Sequence, residues 1–113
     1  MPTISVPRNI RNIAHRAIEY NMSRPIAQRA AYKDDGGDRV PGTGMRTARR
    51  LVSGKVDLDQ LKLMKAWFAR HGDSEQEAQA RQDQTSKAAI AWALWGGSPA
   101  RAWVNRAIKS LEG

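Results

Sequence analysis

The chain has 113 residues, a length that supports one hydrophobic core and not two. A hydrophobic content of 41% with four Trp excludes wholesale disorder, and the absence of Cys excludes disulfides and thiolate metal sites while leaving the redox compartment open. The net charge of +8 is unevenly placed: residues 1–55 carry 11 basic and 4 acidic side chains, residues 56–86 carry 4 and 6, and residues 87–113 carry 4 and 1.

Pro7 opens a first helix in which Ile10, Ile13, Ala14, Ala17 and Ile18 form one apolar stripe, with Arg8, Arg11, His15, Arg16 and Glu19 on the other faces. The helix fades near Tyr20-Asn21. Residues 21–42 are a flexible or insertion-prone segment, with a short helix through residues 25–32 started by Pro25. Asp34-Asp35-Gly36-Gly37-Asp38 then breaks any helix and reads as a solvated loop. Its acids lack the spacing and the bidentate Glu of a calcium loop.

Thr43 is the candidate cap of a second helix that turns Met45, Ala48, Leu51 and Val52 inward and ends at Gly54, where a left-handed residue is needed. Asp57 caps a third helix, with Gln60 as the other half of a capping box, and that helix runs to His71-Gly72. Helix, glycine turn and helix raise the helix-turn-helix possibility. Asp57 and Asp59, however, stand at the end that would enter a groove, where phosphates repel them. Arg46, Arg49 and Arg50 on the preceding helix make the better phosphate patch.

Residues 73–86 are rich in Glu, Gln and Ala without apolar periodicity, and they form the second flexible or insertion-prone segment. Ser86 caps a helix over residues 87–95 that is apolar on nearly every side, the mark of a buried or interface helix. Gly96-Gly97 ends it. Ser98 and Pro99 then start a last helix with Ala100, Trp103, Val104, Ala107, Ile108 and Leu111 on one face. Trp92 and Trp95 are the candidate interface residues, although helical spacing among apolar neighbours favours core packing for the tryptophans.

His15 and His71 are the only histidines, and neither has a motif partner. No paired carboxylates, glycine-framed nucleophile or metal-ligand cluster stands out. The expectation is a non-enzymatic protein without a metal, cofactor or small-molecule substrate. No segment approaches the roughly 20 apolar residues of a membrane span, and the first seven residues lack a signal-peptide run, so no membrane partner is expected.

Three stretches together resemble a small helical domain of tailed-bacteriophage proteins: Ala48-Arg49-Arg50-Leu51-Val52-Ser53-Gly54, Met64 through Trp67-Phe68-Ala69-Arg70-His71, and Ile90-Ala91-Trp92-Ala93-Leu94-Trp95-Gly96-Gly97 with Arg101-Ala102-Trp103. Ser98 departs from the acidic residue that usually follows the glycine pair in that domain. The resemblance implies a phage origin, hence host cytoplasm or virion, and a helical domain; it brings no catalytic residues with it.

The expected fold is all-α, about five short helices in one domain around a Trp-, Leu- and Ile-rich core. The expected function is nucleic-acid binding, to DNA or RNA without base selectivity, through Arg8, Arg11, Arg16, Arg46, Arg49 and Arg50. The alternatives are a capsid-associated or cement protein of the virion, contacting other virion proteins, and a small regulator that docks on an acidic host protein.

Overall fold

The computed structural model describes residues 2–113. Among them six helices occur: α1 (Arg8–Ser23), α2 (Thr43–Ser53), α3 (Leu58–His71), the short α4 (Glu75–Ala80), α5 (Lys87–Leu94) and α6 (Gly97–Glu112). The all-α expectation is corrected in one respect. Two small antiparallel sheets accompany the helices, one joining β1 (Thr3–Ser5) to β4 (Lys55–Asp57) and one joining β2 (Tyr32–Asp35) to β3 (Asp38–Pro41).

The first sheet follows from the turn after α2. Gly54 ends that helix at φ 98°, a left-handed conformation that a Cβ would strain. The chain then runs extended for three residues until Asp57 caps α3 by accepting from the Gln60 N–H at 2.9 Å. Those three residues present a free edge, and the N-terminal segment fills it. Ile4 pairs with Val56, and the Val6 N–H donates to the Gly54 carbonyl at 2.9 Å.

The short helix expected over residues 25–32 does not form, and the second sheet begins at its last residue, Tyr32. Only a 3-10 turn, Ile26–Gln28, forms before it. Asp35 pairs with Asp38 around the two-residue loop Gly36-Gly37, and both glycines have positive φ (61° and 96°). That is the geometry of a type I′ hairpin turn, whose handedness matches the twist of the strands it joins. The stretch taken as a solvated loop is therefore the tip of an exposed hairpin, with Arg39 paired to Asp34 at 3.3 Å.

Buried side chains from every long helix meet in one core, including Ile10, Met45, Leu51, Leu61, Met64, Leu94, Trp95, Trp103 and Val104. Three polar side chains are buried with them, and two have clear structural duties. The Asn21 amide donates to the Ala30 carbonyl at 3.0 Å and accepts from the Ala30 N–H at 2.9 Å, so it stands in for a strand partner and ties the 21–30 segment to α1. Gln60 does not reach back to complete a capping box as expected. Its amide donates to Thr47 Oγ1 at 3.1 Å and accepts from Arg50 at 3.1 Å, which clips α3 to α2.

Two further capping assignments are corrected. Gly42, not Thr43, occupies the cap position of α2, and α6 begins at Gly97 behind Gly96, with Ser98 already inside the helix. Ser86 caps α5 as expected, accepting from the Ala89 N–H at 3.1 Å. The 73–86 segment holds α4, capped by Ser74, followed by turns in which Asp83 accepts from the Thr85 hydroxyl and N–H. Those two bonds hold the Asp83 carboxyl below its ordinary value.

Gly96 is the tightest corner. It sits at φ 103°, and a Cβ there would lie 2.5 Å from Ala100 Cβ and 2.9 Å from Ile10 Cγ2. Gly96→Ala therefore meets a left-handed backbone and an overpacked site together, and is expected to lose about 2–4 kcal/mol in urea unfolding. Asn21→Ala leaves the N–H and C=O of buried Ala30 unpaired. It is expected to lose about 1–3 kcal/mol, seen as a lower urea midpoint with an unchanged m-value.

Candidate nucleic-acid interface and the adjoining aromatic cleft

The six arginines expected to bind nucleic acid divide into two groups. On α2 the buried residues Met45, Ala48 and Leu51 turn one face to the core, which leaves Arg46, Arg49 and Arg50 together on the exposed face. α1 lies antiparallel to α2. Val6 meets Gly54 at one end of the pair, and the Asn21 amide stands 3.3 Å from Met45 Sδ at the other. The N-terminal half of α1 therefore lies beside the C-terminal turn of α2. The half-buried Arg11 stretches over Gly54, where its guanidinium would come within 3.9 Å of a Cβ, next to Lys55 and one turn from Arg50. Arg8 is exposed one turn before it.

Arg16 is elsewhere. Five residues beyond Arg11 it has turned roughly 140° around the helix. It lines a separate groove with Tyr20, Thr85 and Ala89, on the α5 side of α1. Arg50, Arg11 and Arg8 thus gather toward the Gly54 end of the α1–α2 pair, Arg49 and Arg46 continue along the exposed face of α2 toward its start, and Arg16 lies apart.

The electrostatics of this face are one-sided. Among the described residues the ion pairs are His15 with Glu19, Arg39 with Asp34, His71 with Glu77, and Arg101 with Asp73, and none involves the six arginines. Their described hydrogen bonds go to neutral groups, Arg46 to Thr43 Oγ1 at 3.1 Å and Arg50 to the Gln60 carbonyl oxygen. The charge on this face is uncompensated.

Trp92 and Trp95 have different fates. Trp95 is only 3% exposed and belongs to the core, so it is corrected as a surface contact. Its ring stacks on Trp67 with centroids 4.8 Å apart and planes 10° apart. Trp92 is half-buried. It donates from Nε1 to Ser98 Oγ at 3.2 Å and carries the Arg81 guanidinium 4.0 Å above its ring centroid. Together with His71 and the first residues of α2 these rings line a cleft of about 370 Å³. The His71 imidazole is held by Glu77 across 2.6 Å and lies 4.5 Å from the Trp67 ring.

Arg70, Glu77, Arg81 and Gly44 also line this cleft, and sequence reasoning did not single them out. A partial signal existed: Trp67, Arg70 and His71 are spaced three and four residues apart and so share a helix face. What the sequence does not show is that this face of α3 meets α5 and the start of α2. Among the described residues no group of three His, Asp or Glu side chains is placed to hold a metal ion, and no helix is long and apolar enough to cross a membrane.

No protein-family model matches the chain, and no match emerges among curated proteins or solved structures.

Proposed function

We propose that this chain is a non-enzymatic, phage-type accessory protein that binds nucleic acid through Arg46, Arg49 and Arg50 on α2 together with Arg8 and Arg11 on α1. The observation that carries this reading is the absence of any carboxylate partner for these guanidinium groups among the described residues, while Arg39 and Arg101 elsewhere on the surface are each ion-paired. Guanidinium groups on a helix surface suit phosphate oxygens, and displacing the counterions around a polyanion supplies the free energy. Contacts of this kind position a protein on a nucleic-acid backbone without reading bases.

α3 supports the same reading by what it lacks as a recognition helix. Asp57 is committed to capping, Asp59 is exposed at the leading end, and Gln60, the residue best suited to a base edge, is buried against Thr47. The backbone, not the groove floor, is the proposed target.

A second reading, a virion component contacting other virion proteins, is favoured by a different surface. Tyr20, Met22 and Ile26, around the C-terminal end of α1, are each more than 40% exposed. Recovery at fixed stoichiometry in purified particles is the expected result under that reading, and recovery only in the lysate counts against it.

For the nucleic-acid reading, affinity for duplex DNA is expected to fall steeply between about 50 and 200 mM salt, with a log–log slope that counts the phosphates neutralised. The double variant Arg46→Ala/Arg49→Ala should flatten that slope by about 2, and Arg16→Ala should leave it unchanged. A wild-type affinity indifferent to salt, or an Arg16 effect equal to that of the double variant, contradicts the proposal.

A further inference from the structure

We infer that the cleft between α3, α5 and the start of α2 is a binding site for an aromatic base carrying a phosphate, supplied either as a free mononucleotide or as the 5′-phosphorylated end of a strand. In its strand-end form the inference rests on the nucleic-acid reading above; in its mononucleotide form it stands without it.

The first observation is a set of donors without acceptors. The cap of α2 is Gly42, which has no side chain to offer, and the first turn contains no acid. Among the described residues nothing accepts a hydrogen bond from the N–H groups of Thr43, Gly44 or Met45. Thr43 and Gly44 line the cleft, so this helix start opens into it.

The second observation is independent of the helix. Trp95 is 97% buried as a residue, but its indole Nε1 makes no hydrogen bond among the described residues and keeps access to solvent. That nitrogen lies beside Gly44, where a Cβ would stand 3.1 Å from it, and Trp95 lines the same cleft. An indole N–H can only donate. The N–H groups of Thr43 and Gly44 at the helix start and the neighbouring indole N–H are thus donors without a described acceptor on residues that line one cleft, an arrangement that suits an oxyanion.

The charges facing the cleft agree with that assignment. They are Arg70, His71, Glu77 and Arg81, and the carboxylate of Glu77 is engaged by His71. Two guanidinium groups are left facing it. One carboxylate offers two oxygens, fewer than this many donors serve; a phosphate monoester offers three.

The rest of the cleft suits a flat ring. Its walls include the stacked Trp67 and Trp95 and the layer of Arg81 on Trp92, and guanidinium planes and indoles are both surfaces on which bases stack. A cavity of about 370 Å³ is at the small end of the range for ligand sites, on the scale of one nucleotide. The site also adjoins the arginine face. Arg46 donates to Thr43 Oγ1, so a strand tracking along α2 arrives at the mouth of the cleft.

The test is intrinsic tryptophan fluorescence at low salt, titrated with adenosine monophosphate, adenosine and inorganic phosphate. A parallel titration uses short single-stranded oligonucleotides with and without a 5′-phosphate. Adenosine monophosphate is expected to change the emission and to bind at least about tenfold more tightly than adenosine, because the charge-assisted bonds are lost with the phosphate. If only the 5′-phosphorylated oligonucleotide shows this advantage, the strand end is the source and the inference stands.

Arg70→Gln is the cleanest variant, since Arg70 is exposed and makes no described hydrogen bond. It should weaken whichever of these two ligands binds by about tenfold while leaving the melting temperature unchanged. Arg81→Gln is the second variant, with the same expected loss, and its bond to the His71 carbonyl makes its melting curve the control for folding. Equal affinity for adenosine and its monophosphate together with no gain from a 5′-phosphate, or full affinity in the well-folded Arg70→Gln protein, overturns the inference. The Arg46→Ala/Arg49→Ala protein separates the two proposals: loss of salt-dependent duplex binding with mononucleotide binding intact places the failure on one surface and not the other.

Discussion

Helix α2 has eleven residues, and the rest of the molecule depends on how its two ends are held. At the C-terminal end Gly54 turns left-handed, the strand after it pairs with the N-terminal segment, and Gln60 reaches back from α3 to Thr47. At the N-terminal end the Gly42 N–H donates to the Ala31 carbonyl, and Gly44 lets Ala31 and Trp95 approach so closely that a Cβ would come within 2.8 Å of one and 3.1 Å of the other. A short helix is marginal on its own, so these anchors and its buried face hold it in place. One element held in this way underlies both proposals: its exposed face carries arginines without ion-pair partners, and its first turn borders the cleft.

The parts of this arrangement legible in the sequence are those with local causes. The Gly54 turn, the Asp57 and Ser86 caps, and the apolar stripes of α1 and α6 are each fixed by residues within a few positions of one another, and the structure has them. The two small sheets escaped for opposite reasons. β1 and β4 are three residues each, too short to show alternation, and their partnership spans some fifty positions. The hairpin did carry a local signal, two glycines between acidic residues. Its strands are mostly polar and only half exposed, so no apolar pattern framed the turn as a hairpin.

The same division applies to the functional surfaces. That Arg46, Arg49 and Arg50 share one face follows from helical spacing alone, and the structure adds Arg11 and Arg8 beside them. Arg16 shares their helix and their charge but not their surface. The cleft was the less readable of the two. Trp67, Trp92 and Trp95 were visible as aromatics suited to a core, and much of their surface is used that way. The features on which the cleft proposal rests are tertiary: an indole nitrogen beside a helix start, and Arg70 and Arg81 brought to the same opening from α3 and from the turn after α4.

Mapping amide and indole shifts by two-dimensional NMR, with a 5′-phosphorylated oligonucleotide added to isotope-labelled protein, tests the central claim most directly, because it reports every surface at once. The account predicts perturbations along the exposed face of α2, at the amides of residues 43–45 and at the Trp95 indole N–H, with residues 20–26 silent. Shifts confined to Tyr20, Met22 and Ile26, or to the Arg16 groove, with α2 unmoved, would contradict it.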